Sequence, residues 1–135
     1  MKPRGQDGNV SDRVVLADRE HRYRAALWII FRALAKDHAA WWPLHPGEVL
    51  PAVVDAAPPD RIVWSSPWPV SPNDTIEFSL TIWGHDGTAL RFRWLTDAPP
   101  DDRGVAITRQ RLNTKLGGFL RGWLTDDRAW RPADE

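Results

Sequence analysis

The stretch TIEFSLTIWGHDGTALRFRWL, residues 75 to 95, constrains the fold more than any other. Ile76, Phe78, Leu80 and Ile82 alternate with polar residues, and Leu90, Phe92 and Trp94 do the same after a glycine- and aspartate-bearing turn. Period two is the signature of a half-buried strand, and two such runs around a short glycine turn make a hairpin. Opposed residues share a face of the sheet, so the register follows from making the apolar faces coincide. A two-residue loop at His85-Asp86 sets Leu80 against Arg91. A three-residue loop, His85 to Gly87 with Gly87 left-handed, pairs Gly84 with Thr88, Ile82 with Leu90, Leu80 with Phe92 and Phe78 with Trp94. On the other face this register sets Thr81 against Arg91 and Ser79 against Arg93. It is the expected one.

A sheet with one apolar face needs a cover. Residues 105 to 125 supply it: at about 100° per residue, Val105, Leu112, Leu116, Phe119, Leu120 and Trp123 fall within an arc of roughly 100°. Asp101 or Asp102 is placed to cap this helix. Arg109 projects into the apolar arc, and Gly117-Gly118 interrupts the helix at about 1 kcal/mol per glycine relative to alanine. Arg103, Arg111, Lys115 and Arg121 fall mostly on the solvent side.

Upstream, RVVLA reads as a strand, and His21, Tyr23 and Ala25 alternate with Arg22 and Arg24 at strand period. Leu27, Ile30, Phe31 and Leu34 predict a helix over about 26 to 37, with a start near Asp18 as the alternative. Residues 42 to 59 hold five prolines, leaving room for one short edge strand in GEVLPAVVDA. A further strand is expected near 61 to 66. Residues 1–12 read as a flexible arm, 13–126 as one domain and 127–135 as a charged tail that Trp130 anchors.

Composition narrows the function. Eighteen basic residues balance 18 acidic ones, so no net field draws nucleic acid or an anionic membrane. The absence of cysteine excludes disulfides, thiolate catalysis and cysteine zinc sites. No apolar run reaches the ~20 residues of a membrane span, and the start lacks a signal peptide's apolar centre, so a cytoplasmic location is expected. Histidines 38, 45 and 85 with Glu48 and Asp86 lack metal-ligand spacing, and Ser65 and Ser66 lack a nucleophile elbow. No metal or cofactor is expected. Nine tryptophans against one tyrosine make the interior rich in indole, and two of them, Trp41 and Trp42, stand before Pro43 in HAAWWPLHPGEVL.

These segments together carry a resemblance. AALWIIFRALAKDHAAWWP, then VVDAAPPDRIVWSSPW, then the hairpin and a closing GGFLRGWL resemble the START-like, polyketide cyclase superfamily, and within it the branch named for the activator of the heat-shock-protein ATPase. The matching positions are Trp41, Trp42 and Pro43; Pro58, Pro59, Ile62, Val63 and Trp64; Asp86, Gly87, Thr88, Leu90 and Phe92; and Gly122 with Trp123. The likeness runs over about residues 20 to 125. It implies an α+β helix-grip fold, an antiparallel sheet curled around a long C-terminal helix, with a short N-terminal helix and a cavity between sheet and helix. Relatives place two full strands between the paired tryptophans and the double proline. Only 15 residues separate Trp42 from Pro58 here, so one strand is expected to be lost or shortened.

The resemblance covers carriers of hydrophobic ligands, cyclases and chaperone co-factors alike, and the residues favour a binding module for a hydrophobic or amphipathic small molecule over an enzyme. A cyclase- or hydrolase-like enzyme using the same cavity, and a chaperone-modulating interaction protein, are the alternatives. The candidate lining is Trp42, Trp64, Phe78, Phe92, Trp94, Arg109, Asn113, Leu116 and Phe119; the aromatic set would equally serve as a filled core. Arg109 reads either as a clamp for a ligand carboxylate or phosphate, or as a side chain reaching the rim to pair with Glu48 or Asp97. Against an enzyme, no acid or histidine is assigned to an inward strand position. Trp41 and Trp42 are expected to close one mouth of the interior. The chain is expected to be a monomer or homodimer that binds neither nucleic acid nor membrane.

Overall fold

In the computed structural model, residues 13–97 and 102–125 are described. The elements in order are β1 (Val14–Tyr23), α1 (Leu27–Ala35), a single turn α2 (His38–Trp41), β2 (Val53–Ala57), β3 (Arg61–Ser65), β4 (Thr75–Trp83), β5 (Gly87–Thr96), α3 (Asp102–Thr114), a π-helical turn (Lys115–Phe119) and α4 (Leu120–Leu124). The last three form one C-terminal helix. The expected arm, the tail with Trp130, and Asp101 lie outside the described residues.

The strands form one antiparallel sheet in the order β1-β5-β4-β3-β2. This is the α+β helix-grip arrangement: a curled open sheet holding a long C-terminal helix. Between Trp42 and the double proline only β2 forms, at the sheet edge, so the segment carries one strand as its length required.

The β4-β5 register differs from the expected one by two residues. Leu80 faces Leu90, Phe78 faces Phe92 and Ile76 faces Trp94, while Trp83 pairs with Gly87 across a loop of Gly84, His85 and Asp86. A slip of two preserves every face, so apolar matching cannot separate the two registers. Two other features favour the observed one. Glu77 lies directly opposite Arg93, with charged groups 3.9 Å apart. A Cβ on Gly87 would stand 2.7 Å from the Trp83 carbonyl oxygen and 2.9 Å from that of Tyr23, so three backbone segments meet at this residue. The left-handed residue is Gly84 (φ 67°) rather than Gly87. Ile82, expected inside, lies opposite Thr88 and is exposed.

The inner face carries Ile62, Trp64, Ile76, Phe78, Leu80, Leu90, Phe92 and Trp94, all buried. Ile29, Ile30, Ala33 and Leu34 of α1 cover it together with Leu112, Leu116 and Leu120 of the C-terminal helix. The outer face carries exposed ion pairs such as Arg91 with Asp18 at 2.6 Å and Arg61 with Asp55 at 2.8 Å. Such pairs contribute little stability individually.

Trp41 of the adjacent pair, together with Trp64 of β3, terminates α1. The last carbonyls of a helix have no intrahelical donor, and here indoles supply it: Trp41 Nε1 donates to Ala33 O and Trp64 Nε1 to Leu34 O, each at 2.9 Å. Trp42 stands edge-on to Trp64 with ring centroids 4.8 Å apart.

The π turn revises the reading of the last helix. One extra residue in a turn rotates everything after it by about one position. Phe119, expected inside, is therefore exposed, and Leu120 takes the inward place. Lys115, assigned to solvent, is 2% exposed. Tyr23 Oη donates to the Leu116 carbonyl within this turn at 2.9 Å, in a buried position. Gly118 has open space where a Cβ would be, and a Cβ on Gly117 would make only ordinary contact with the His21 ring. Close packing therefore does not require either glycine.

Candidate functional site

A bulge in β1 builds the first groove. Val15 pairs with Leu95 and Ala17 with Trp94, so Leu16 is the extra residue, and a bulged residue leaves the ladder incomplete. Arg109, one helix face away, donates its Nε to the Leu16 carbonyl. Together they flank a groove of about 340 Å³ between β1 and the C-terminal helix, lined by Val15, Leu16, Ala17, Asp18, Arg19, Phe92, Arg109 and Asn113. Arg109 is at the rim, as one reading had it, but with a backbone partner. The carboxylates proposed for it are engaged elsewhere: Glu48 with Lys115 and Asp97 with Arg13. Its remaining guanidinium N–H groups have no partner among the described residues.

His21 sits behind this groove. It lies opposite Leu90 on the inner face of β1, contrary to the expectation that no histidine points inward; its alternation with Tyr23 was the available signal. Its Nε2 is 3.3 Å from Asn113 Oδ1, and its ring stacks on Phe92 with centroids 6.0 Å apart. Burial holds the imidazole below its ordinary pKa, Arg121 and Arg19 act in the same direction, and the Asn113 contact opposes them. A neutral histidine therefore stands beside a cation and an amide.

A second cluster joins Trp42, an expected lining residue, and Glu48, a candidate partner for Arg109, to Lys115, which was assigned to solvent. Lys115 Nζ donates to Glu48 Oε1 at 2.8 Å, and the two side chains are 3% and 6% exposed. Glu48 also accepts from the His45 backbone N–H at 2.9 Å and from Trp68 Nε1 at 3.1 Å, while the ammonium sits 4.6 Å from the Trp42 ring centroid. Burial raises the Glu48 carboxyl, but these donors outweigh it and leave the group below its usual range. Burial lowers the Lys115 ammonium despite Glu48. Lys115 and His45 border a groove of about 350 Å³ whose other walls include Leu44, Ile107, Arg111 and Phe119.

The nine expected lining residues do not converge. Phe92, Arg109 and Asn113 line the β1 groove, and Phe119 lines the other groove. Trp42, Trp64 and Phe78 pack edge to face at 4.8 and 4.7 Å, which leaves no space for a guest between their rings. Trp94 packs against Trp68 at a 47° tilt with ring centroids 4.9 Å apart and donates Nε1 to the buried Asp74 at 2.9 Å. Leu116 is fully buried. Among the described residues no group of three metal-ligating side chains occurs, and no helix is long and apolar enough to cross a membrane.

No family model matches the sequence, and no curated protein matches it. Solved structures match the fold. The crystal structure of CalU16 from Micromonospora echinospora superposes with a TM-score of 0.62 at 18% identity, over 87% of this chain and 76% of that one. The Aha1 dimer from Colwellia psychrerythraea gives 0.57 at 19% identity, over 74% and 90%. PFC0360w, an HSP90 activator from Plasmodium falciparum, gives 0.55 at 15% identity, over 77% and 89%. The fold of this chain is START-like, as the motifs implied.

Proposed function

We propose that this START-like chain is a cytoplasmic binding protein for an amphipathic small anion, held in the groove between β1 and the C-terminal helix. The observation that carries the reading is Arg109: its Nε is fixed on the bulged Leu16 carbonyl, and its other donors stay available above the Phe92 floor. A guanidinium so anchored is pre-organised for a carboxylate, sulfonate or phosphate. Asn113 and Arg19 add polar contacts, and Val15 and Ala17 add apolar wall. The interior aromatic residues stabilise the fold and lie beneath the ligand.

Naphthalene-1-sulfonate, with naphthalene as the uncharged comparison, tests this by calorimetric titration. The sulfonate is expected to bind more tightly than naphthalene, and Arg109→Leu to weaken it at least about tenfold, the order of one charge-assisted bidentate contact. Equal binding by wild type and variant would overturn the reading.

His21 favours a second reading, an enzyme using the same groove. A neutral imidazole in contact with Asn113, which lines the groove together with Arg109, has the components of a general base near an anion-stabilising cation. A bell-shaped or histidine-type pH profile of any turnover, lost in His21→Gln, would distinguish it from a carrier.

A further inference from the structure

The groove above Lys115 lies on the other side of the C-terminal helix from Arg109 and is independent of that reading. Of the chain's 18 basic residues fifteen are arginine and only Lys2, Lys36 and Lys115 are lysine. Arginine is the usual choice for a buried ion pair, because its planar fork matches a carboxylate and its charge is permanent. Among the described residues the most buried pair nevertheless uses lysine, the basic side chain able to give up its proton and act as a nucleophile.

From this choice and the surrounding geometry we propose that Lys115 is a carbonyl-reactive amine, forming an imine with small aldehydes or ketones of apolar body that enter the groove beside it. Three observations support it. The groove, about 350 Å³, reaches Lys115. Its walls include Leu44, Ile107 and Phe119, each exposed by 43% or more, which present apolar surface to a guest. Glu48 Oε1 stands 2.8 Å from Nζ, within proton-transfer reach. Lys115 is the first residue of the π turn and is buried beside Leu116.

The steps balance without an oxidant or a metal. The Lys115 ammonium passes one proton to Glu48 along their hydrogen bond, and the freed nitrogen pair forms the C–N bond as the carbonyl π pair moves to oxygen. Glu48 returns its proton to that oxygen. A second proton passes from nitrogen to oxygen by the same carboxylate, the C–O bond breaks, and water leaves. The product is a protonated imine with Glu48 again a carboxylate, so the net charge of the pair is unchanged. The Trp42 face, 4.6 Å from the ammonium, is placed to stabilise the cation before and after the reaction. Burial, which disfavours the ammonium, works in favour of the free amine.

The test is reductive trapping. The full-length protein is mixed near neutral pH with benzaldehyde or formaldehyde and sodium cyanoborohydride, and peptide mass spectrometry reads the extent of labelling at Lys2, Lys36 and Lys115. With benzaldehyde, Lys115 is expected to label at least about tenfold faster than the other two lysines. Ile107→Glu, a change at an exposed wall position, is expected to slow benzaldehyde labelling of Lys115 while leaving formaldehyde labelling unchanged, because the smaller probe does not need the apolar wall. If Lys36 labels as fast as Lys115 with benzaldehyde, or if Ile107→Glu has no selective effect, the proposal is wrong and the pair is structural only.

Discussion

Trp42 shows how a side chain in a proline-rich segment becomes part of a core. Its ring touches Trp64, Trp41 and the Lys115 ammonium, and only 4% of the residue is exposed. Trp42→Ala is expected to destabilise the protein by roughly 3 to 5 kcal/mol in urea unfolding, as for other buried aromatic truncations. A loss under 1 kcal/mol would mean that the indole is a movable lid, as the sequence alone allowed. Glu48→Leu, which leaves a buried ammonium unpaired, is expected to cost a similar roughly 3 to 5 kcal/mol. Adding Lys115→Met should restore much of that, since replacing both partners removes both desolvation penalties. His21 supplies a pH dependence. Its folded pKa is depressed, so between that value and the unfolded value near 6.5 the unfolded chain binds more protons, and stability rises with pH. Stability should therefore fall as pH drops below about 6.5, through His21, and again below about 4.5 as the paired Glu48 and Asp18 carboxylates take up protons. His21→Gln should remove the first phase and keep the second in thermal melts across pH.

At the level of elements, the C-terminal helix marks the boundary of what periodicity reveals. Val105, Leu112, Leu116, Leu120 and Trp123 were legible as its buried stripe, because a 3.6-residue period describes the helix up to Leu116 and most of the segment beyond it. Phe119 and Lys115 were not. A π turn has no compositional signature beyond the weak hint of Gly117-Gly118, and Tyr23, whose hydroxyl engages the Leu116 carbonyl, is 93 residues distant in sequence. Gly118 has free space around its missing Cβ, so Gly118→Ala should be neutral or stabilising by about 0.5 to 1 kcal/mol. A loss of more than 1 kcal/mol in chemical unfolding would show that the wide turn depends on glycine there. The hairpin has the same limit in another form. Alternation identified which residues face inward, but a shift of two residues leaves the faces unchanged, and the deciding contacts, Glu77 with Arg93 and the close approach at Gly87, involve the outer face and a third strand. The β1 bulge, and with it the Leu16 carbonyl that anchors Arg109, was likewise invisible, since nothing in VVLAD distinguishes a bulged residue from a paired one.

For the whole molecule, element order and motifs indicated the START-like fold because each local preference agrees with it: an alternating hairpin, an amphipathic last helix, and a first helix ended by indoles. What the fold leaves open is where a ligand sits. The tryptophans that suggested a lined cavity fill much of the sheet-helix interior with their own rings, and grooves open at its margins, among them those along β1 and beside the π turn. In the proposed function an amphipathic anion binds at the β1 margin through Arg109. Amide chemical-shift mapping during titration with naphthalene-1-sulfonate tests it most directly. The largest shifts are expected at Leu16, Ala17, Arg109 and Asn113, with their loss in Arg109→Leu. Largest shifts at Trp42, Trp64 and Phe78, unaffected by that substitution, would place the ligand in the interior and contradict the claim.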